Sequence, residues 1–101
     1  MEENKLKNLL GIAQKAGKII SGTFSVNQAI NKNKVKMLLI AKDASEETKK
    51  EWQKIAENKK IPIKMILDKE TLGNAIGKEY RMIAALSDDG FCKKISEMIS
   101  E

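Results

Sequence analysis

The run Met37-Leu38-Leu39-Ile40-Ala41 is apolar without interruption. A short run of this kind is typical of a strand that is buried on both faces of a sheet. A sheet with two buried faces needs a layer of helices on each side. Before and after this run, segments with helical spacing of apolar residues alternate with further short apolar runs. The sequence therefore predicts an α/β protein with a central sheet covered on both faces.

The predicted elements alternate strictly, from a first helix to a last helix. Helices are predicted at about 4–16, 23–31, 45–58, 68–76 and from 88 onward, and strands at about 18–21, 36–41, 61–67 and 80–86. Gly17 is expected to end the first helix in a left-handed conformation. Ser21 or Thr23 is expected to cap the second helix, and Asp43 or Ser45 the third.

The composition bounds both the organisation and the chemistry. The chain has 101 residues, no histidine and one cysteine, so it predicts one domain, residues 1–101, without an internal disulfide. The absence of histidine removes the usual general base near neutral pH and the commonest zinc ligand. No run is long enough for a transmembrane helix, and no signal region begins the chain. We therefore expect a cytoplasmic protein that is not an enzyme and uses no metal or cofactor.

Three side chains near the last predicted helix are candidates for chemistry. Asp88 and Asp89 are adjacent carboxylates, but their position favours capping of a helix. Cys92 is followed by Lys93 and Lys94, whose charges would lower its pKa. No base accompanies the thiol, so Cys92 is expected to be a small core residue.

Positive charge is concentrated in the first part of the chain. The net charge is +5, and residues 1–42 hold eight lysines against two glutamates, a net charge of +6. One-sided positive charge favours a polyanion, of which nucleic acid is the common example. Surface lysines that serve only solubility are the alternative explanation.

A glycine-lysine pattern appears twice. Residues 14–23 have the sequence Gln-Lys-Ala-Gly-Lys-Ile-Ile-Ser-Gly-Thr, and residues 72–78 have the sequence Leu-Gly-Asn-Ala-Ile-Gly-Lys. The start of a helix after Gly22 would present free N–H groups that suit phosphate. If the two patterns lie side by side, Lys18, Lys78 and Arg81 converge at one edge of the sheet. Arg81 is the single arginine, and a guanidinium binds phosphate bidentately or stacks on a base.

Several segments resemble the YlxQ branch of the kink-turn-binding ribosomal protein superfamily. They are residues 9–22, residues 38–45, Ile61-Pro62-Ile63, residues 72–77, and Asp88-Asp89-Gly90-Phe91 with the two lysines that follow Cys92. The resemblance covers nearly the whole chain in the same order. It implies a three-layer α-β-α sandwich with a four-stranded mixed sheet, and a function in binding RNA.

The resemblance also implies where RNA would bind, namely the N-terminus of the second helix and the loop before the last strand. Kink-turn binders have Gly-Thr-Asn-Glu at the helix start, with a lysine three positions later. The matching residues here are Gly22, Thr23, Phe24 and Ser25, followed by Gln28. The glycine and threonine are kept, whereas the base-reading asparagine and glutamate are replaced.

Phe24 has two interpretations. It stacks on an unpaired base, or it makes an apolar contact that fixes the second helix. The expected RNA-binding residues are Lys15, Lys18, Gly22, Thr23, Phe24, Ser25, Gln28, Lys78 and Arg81. The predicted partner is structured RNA, ribosomal or kink-turn-like, with the ribosome as the larger assembly. The alternative is a protein-interaction adaptor on the same fold, with Phe24 as an exposed anchor.

Overall fold

The computed structural model describes residues 3–100 and contains the predicted alternation of helices and strands. The helices are α1 Glu3–Lys15, α2 Thr23–Asn31, α3 Glu46–Lys59, α4 Lys69–Ala75 and α5 Asp89–Ser100. The strands are β1 Ile19–Ser21, β2 Met37–Ile40, β3 Ile63–Met65 and β4 Ile83–Leu86. None of these helices combines the length and apolar character needed to cross a membrane.

The four strands form one mixed sheet in the order β1-β4-β2-β3. β4 pairs antiparallel with β1 and β2, while β2 and β3 are parallel. The C-terminal ends of β1, β2 and β3 therefore lie on the same side of the sheet as the start of β4. We use the word edge for a side of the sheet that is formed by strand ends. The opposite edge holds the start of those three strands and the end of β4.

Two apolar clusters make this a three-layer sandwich. On one face, α1, α4 and α5 bury leucines and isoleucines such as Leu10, Leu72 and Ile95 against Leu39 and Leu86 of the sheet. The other face of the sheet is covered by α2 and α3 through a second cluster. All four residues of β2 and of β4 are buried, because both strands lie between two helical layers. The predicted fold class is confirmed.

The caps explain where several helices begin. The hydroxyl oxygen of Ser45 accepts a hydrogen bond from the Thr48 N–H at 3.1 Å and starts α3. Asp43, the other predicted cap of α3, instead accepts a hydrogen bond from the Lys69 N–H at 2.9 Å. Of the two predicted caps of α3, Ser45 is confirmed and Asp43 is not. Asp43 is used elsewhere because the turn after β2 faces the start of α4, which the sequence pattern does not reveal.

The loop before β4 runs back along α4, so β4 starts at Ile83 rather than at the predicted residue 80. The Arg81 N–H donates to the carbonyl of Lys69, at the first turn of the helix. A Cβ on Gly73 would lie 2.8 Å from the carbonyl oxygen of Glu79 and 2.9 Å from the Cα of Tyr80. Only a glycine at this position of α4 lets the loop approach the helix so closely.

We expect Gly73→Ala to destabilise the protein by about 1–3 kcal/mol, because the added methyl group displaces the backbone of residues 79–80. Gly11→Ala is the matched control. Gly11 also lies in a helix, but a Cβ there meets only the Ala75 carbonyl at an ordinary 3.5 Å. Urea unfolding of both variants checks the difference. Equal stability of the two variants would contradict the close-approach argument.

Candidate nucleic-acid interface

The N-terminus of α2 is open. Gly22 is its N-cap residue, with φ 89° and ψ 148°, and no side chain caps the helix. The Gly22 N–H donates to the Ile83 carbonyl, and the Val26 N–H to the Gly22 carbonyl. The amides of residues 23–25 have no hydrogen-bond acceptor among the described residues. The start of α2 therefore presents three adjacent N–H groups to solvent.

The predicted cap of α2 by Ser21 or Thr23 was wrong. The hydroxyl of Ser21 accepts a hydrogen bond from Nε of Arg81 at 3.3 Å. Thr23 is already the first helical residue, after a glycine whose positive φ turns the chain into the helix. Within the described chain, α3 and α4 have side-chain caps and Asp88 accepts from the Phe91 N–H in α5. α2 therefore lacks the side-chain hydrogen bond that is present at the start of each of the three helices that follow it.

Arg81 joins the loop before β4 to the start of α2. Besides the bond to Ser21, its Nη1 donates to the Tyr80 carbonyl at 2.6 Å. Its backbone N–H donates to the Lys69 carbonyl at 3.0 Å. The guanidinium is thereby held at the edge of the sheet, and it has more N–H donors than these two side-chain bonds use.

Two exposed aromatic side chains accompany Arg81. The side chain of Phe24 is 73% exposed and that of Tyr80 is 55% exposed. Nζ of Lys69 lies 5.9 Å from the centroid of the Tyr80 ring, within the range of a cation–π interaction. The exposure of Phe24 excludes the interpretation in which this ring makes an apolar contact that fixes α2.

The polar residues predicted on α2 are in place beside Phe24. Thr23, Ser25 and Gln28 are all exposed. Gln28 lies one turn after Phe24 and Ser25, so the three side chains share one side of the helix. We call residues 21–25, 28 and 80–82, together with Lys69, the α2 edge.

Lys78 lies in the same loop as Arg81, and the backbone of each is held against α4. The Lys78 N–H donates to the Gly73 carbonyl at 2.8 Å, and the Arg81 N–H donates to the Lys69 carbonyl, one helical turn earlier. Lys78 is exposed and flanks the α2 edge.

Lys15 and Lys18 lie at the opposite edge of the sheet, so the predicted convergence of Lys18 with Arg81 was wrong. The Lys18 carbonyl accepts a hydrogen bond from the Ser87 N–H, beyond the end of β4. β1 does pair with β4, so the segments of the two glycine-lysine patterns are neighbours, but the pairing is antiparallel. The start of β1 therefore meets the end of β4, while Arg81 precedes its start.

Sequence reasoning missed Lys69 and Tyr80 as members of the α2 edge. The apolar pattern assigned Tyr80 to the last strand, whereas the resemblance placed residues 78–81 in the loop before that strand, without naming Tyr80 as a binding residue. Nothing in the local sequence indicates that the first turn of α4 faces the start of β4. That contact depends on the order of the strands.

The three residues considered as candidates for chemistry lie at the start of α5 and in the core. Among residues 3–100, no group of three or more cysteine, aspartate or glutamate side chains could hold a metal ion. Cys92 is buried in the core. Burial, then the nearby charges of Asp89 and Asp88, raise the pKa of the Cys92 thiol to about 11. Cys92 is thus a small core residue, as predicted, and burial outweighs the nearby positive charges.

We expect Cys92 to react with iodoacetamide at pH 8.5 roughly 50- to 100-fold more slowly in the folded protein than in urea. A thiol with its pKa raised from 9.0 to about 11 forms far less thiolate at that pH. The folded-state rate should keep rising as the pH approaches 11. Equal rates in the folded and unfolded chain would contradict this.

A protein-family model matches nearly the whole of this chain. A model described as the ribosomal protein L7Ae/L30e/S12e/Gadd45 family matches residues 4–97. The RNA-binding protein YlxQ of Bacillus subtilis (strain 168) is 35% identical over 91 residues, which cover 90% of this chain and 91% of that protein. The RNA-binding protein YlxQ of Enterococcus faecium is 35% identical over 95 residues, covering 94% of this chain and 91% of that protein.

Solved structures with this fold agree with the family match. A Bacillus halodurans C protein described as being of unknown function has a TM-score of 0.87 and 32% identity, covering 94% of this chain and 96% of its own. The Giardia lamblia 15.5kD RNA binding protein has a TM-score of 0.75 and 22% identity. That match covers 99% of this chain and 88% of the Giardia chain, and it bears on the fold alone.

Proposed function

This chain belongs to the ribosomal protein L7Ae/L30e/S12e/Gadd45 family, as its sequence motifs predict, and we propose that it is a small RNA-binding protein that holds structured RNA at the α2 edge. Two relatives with 35% identity are named RNA-binding proteins, which supports the partner class. The geometry of the α2 edge supports the location.

The phosphate backbone is the first part of the ligand that this edge suits. Three adjacent N–H groups without acceptors point from the start of α2, where the helix dipole adds partial positive charge. The Arg81 guanidinium lies beside them through its bond to Ser21. A phosphate oxygen at the helix start would accept from these amides and stand close to a full positive charge.

Unpaired bases are the second part of the RNA that the α2 edge suits. Phe24 and Tyr80 expose their rings on segments that the Arg81–Ser21 hydrogen bond joins. Aromatic rings stack on any base, because every base has a π-face. Thr23, Ser25 and Gln28 add exposed groups that can bond to base edges or sugars.

One observation carries the proposal, namely the open N-terminus of α2 with an exposed Phe24 beside it. A phenylalanine that is 73% exposed on a helix without a cap contributes little to folding. An unpaired base in contact with that ring would bury both surfaces from water.

The RNA is proposed to be structured and to carry unpaired bases, as ribosomal and kink-turn-like RNAs do. Phe24 and Ser25 occupy the positions where kink-turn binders read base edges with asparagine and glutamate. We therefore propose recognition by stacking and backbone contacts, without catalysis. The ribosome is the larger assembly that would supply such an RNA, in the cytoplasm.

We expect Phe24→Ala to weaken binding to a labelled kink-turn RNA, or to whichever ribosomal RNA fragment from a mixed pool the wild-type protein retains, by roughly 5- to 150-fold. That range corresponds to the loss of one stacked base. Ile12→Ala is the matched control, since Ile12 is also an exposed apolar helical residue, at 58%. Fluorescence anisotropy at two salt concentrations measures both variants.

The salt dependence of Phe24→Ala should match that of the wild type, because stacking releases no counterions. Equal affinities of the Phe24→Ala and Ile12→Ala variants would contradict stacking at the α2 edge. No binding of the wild-type protein to either RNA at low salt would contradict RNA binding altogether.

A protein-interaction adaptor is the second candidate, and the exposure of Phe24 also favours it. An exposed aromatic ring can anchor a protein partner. This candidate gains support if the wild-type protein binds no RNA and Phe24→Ala abolishes capture of a protein partner. It is excluded if Phe24→Ala acts on RNA affinity as expected.

A further inference from the structure

The lysines that give the chain its positive charge gather at the edge opposite to the α2 edge. Its seven exposed lysines are Lys15, Lys18, Lys32, Lys34, Lys36, Lys59 and Lys60, which we call the lysine edge. Five of them belong to the eight lysines of residues 1–42. Most of the lysines in the positively charged first part of the chain therefore lie on the side of the sheet away from the start of α2.

The topology sets these lysines in a row along the strand ends. Lys18 precedes β1, and its carbonyl accepts from the Ser87 N–H. The Lys36 N–H donates to the Leu86 carbonyl at 2.7 Å, at the start of β2. β4 lies between β1 and β2, so the backbones of Lys18 and Lys36 are about 10 Å apart. Lys60 lies two residues before Pro62, whose carbonyl accepts from Leu38 at the start of β2.

Three carboxylates accompany the row. Asp88 and Asp89 lie at the start of α5, and Glu57 lines a surface groove together with Lys60. Asp88 already accepts a hydrogen bond from the Phe91 N–H at 3.0 Å. Among the described residues, no ion pair involves any of the seven lysines.

Helix dipoles account for only part of the cluster. Lys15, Lys32 and Lys59 lie at the ends of α1, α2 and α3, where a cation interacts favourably with the partial negative charge of the helix terminus. Lys18 and Lys36 adjoin strands, and Lys34 lies in the turn between α2 and β2. Neither a helix terminus nor an ion pair explains these last three lysines.

The other charged edge has a different composition. Around the α2 edge, exposed cations and exposed carboxylates are mixed: Lys42, Lys69, Lys78 and the half-buried Arg81 lie on the same side as Asp43, Asp68 and Glu79. The two edges are separated by the length of the strands, and six residues of extended chain from Arg81 to Ser87 span about 20 Å. A ligand that touches both edges has to extend around the protein or supply two segments.

We propose that the lysine edge is a second RNA surface, which binds the phosphate backbone of a paired segment while the α2 edge binds the unpaired one. This inference rests on the proposed function for its choice of RNA as the polyanion. The seven lysines provide charge without an exposed aromatic ring among them, so they suit contact with phosphates and not readout of bases. The protein would thereby bridge two parts of one folded RNA.

The test compares two triple variants on a fully paired RNA duplex without loops. Lys18→Gln with Lys34→Gln and Lys36→Gln removes the three otherwise unexplained charges. Lys50→Gln with Lys54→Gln and Lys64→Gln removes the same charge from α3 and β3 and serves as the control. Neither triple removes a residue of the buried core, and circular dichroism verifies that both variants fold.

We expect the first triple to weaken duplex binding roughly 100-fold near 0.1 M salt and to reduce the slope of log affinity against log salt by about 2 to 3. The control triple should have a much smaller effect, and Ile12→Ala, at a residue that belongs to neither edge, should leave duplex binding unchanged. Equal effects of the two triples would overturn the proposal.

The two proposals can fail separately. If Phe24→Ala leaves the affinity for an RNA with unpaired bases unchanged, the α2 edge is contradicted as an RNA site. The result with the duplex is not affected by that outcome. If the first triple variant binds the duplex as tightly as the wild-type protein, the lysine edge is contradicted as an RNA surface. The effect of Phe24→Ala on RNA with unpaired bases is not affected by that outcome. In that case, the lysines would serve only the solubility of the protein, the alternative that the sequence already offers.

Discussion

The antiparallel pairing of β4 with β1 is the interaction on which the rest of this structure depends. β4 lies between β1 and β2 and is buried on both faces, so its direction decides which loops meet at each edge. Because β4 starts where β1 ends, Arg81 reaches Ser21 and the start of α2 remains open beside it. The same pairing carries Lys18 to Ser87 at the other edge. One hydrogen-bond ladder thus separates an edge with aromatic rings and free amides from an edge with lysines.

The packing around β4 also constrains the loop that supplies Arg81 and Tyr80. Gly73 allows the backbone of residues 79–80 to touch α4, and the Lys69 carbonyl holds the Arg81 N–H. An arginine whose backbone and side chain are both bonded loses less conformational entropy when it binds a phosphate. Burial of the surrounding core residues therefore fixes the groups of the proposed binding site.

Local pattern predicted the elements of this fold well, because each one follows from its own residues. The unbroken apolar run of β2, the left-handed Gly17 and the Ser45 cap are properties of short segments. The relation between segments was predicted less well. The two glycine-lysine patterns left open whether their segments are neighbours, and nothing in either segment gives the relative direction of β1 and β4. Lys18 was therefore assigned to the wrong edge, and Tyr80 was assigned to a strand although the loop exposes it.

The central claim is that RNA contacts the open start of α2, and amide chemical-shift mapping tests it most directly. The protein has 101 residues and can be titrated with a structured RNA that carries unpaired bases. The account predicts that the amides of residues 23–25 and 80–82 shift most, since the free N–H groups of Thr23, Phe24 and Ser25 would gain acceptors. Shifts confined to residues 15–18 and 32–36, with residues 23–25 unchanged, would contradict it.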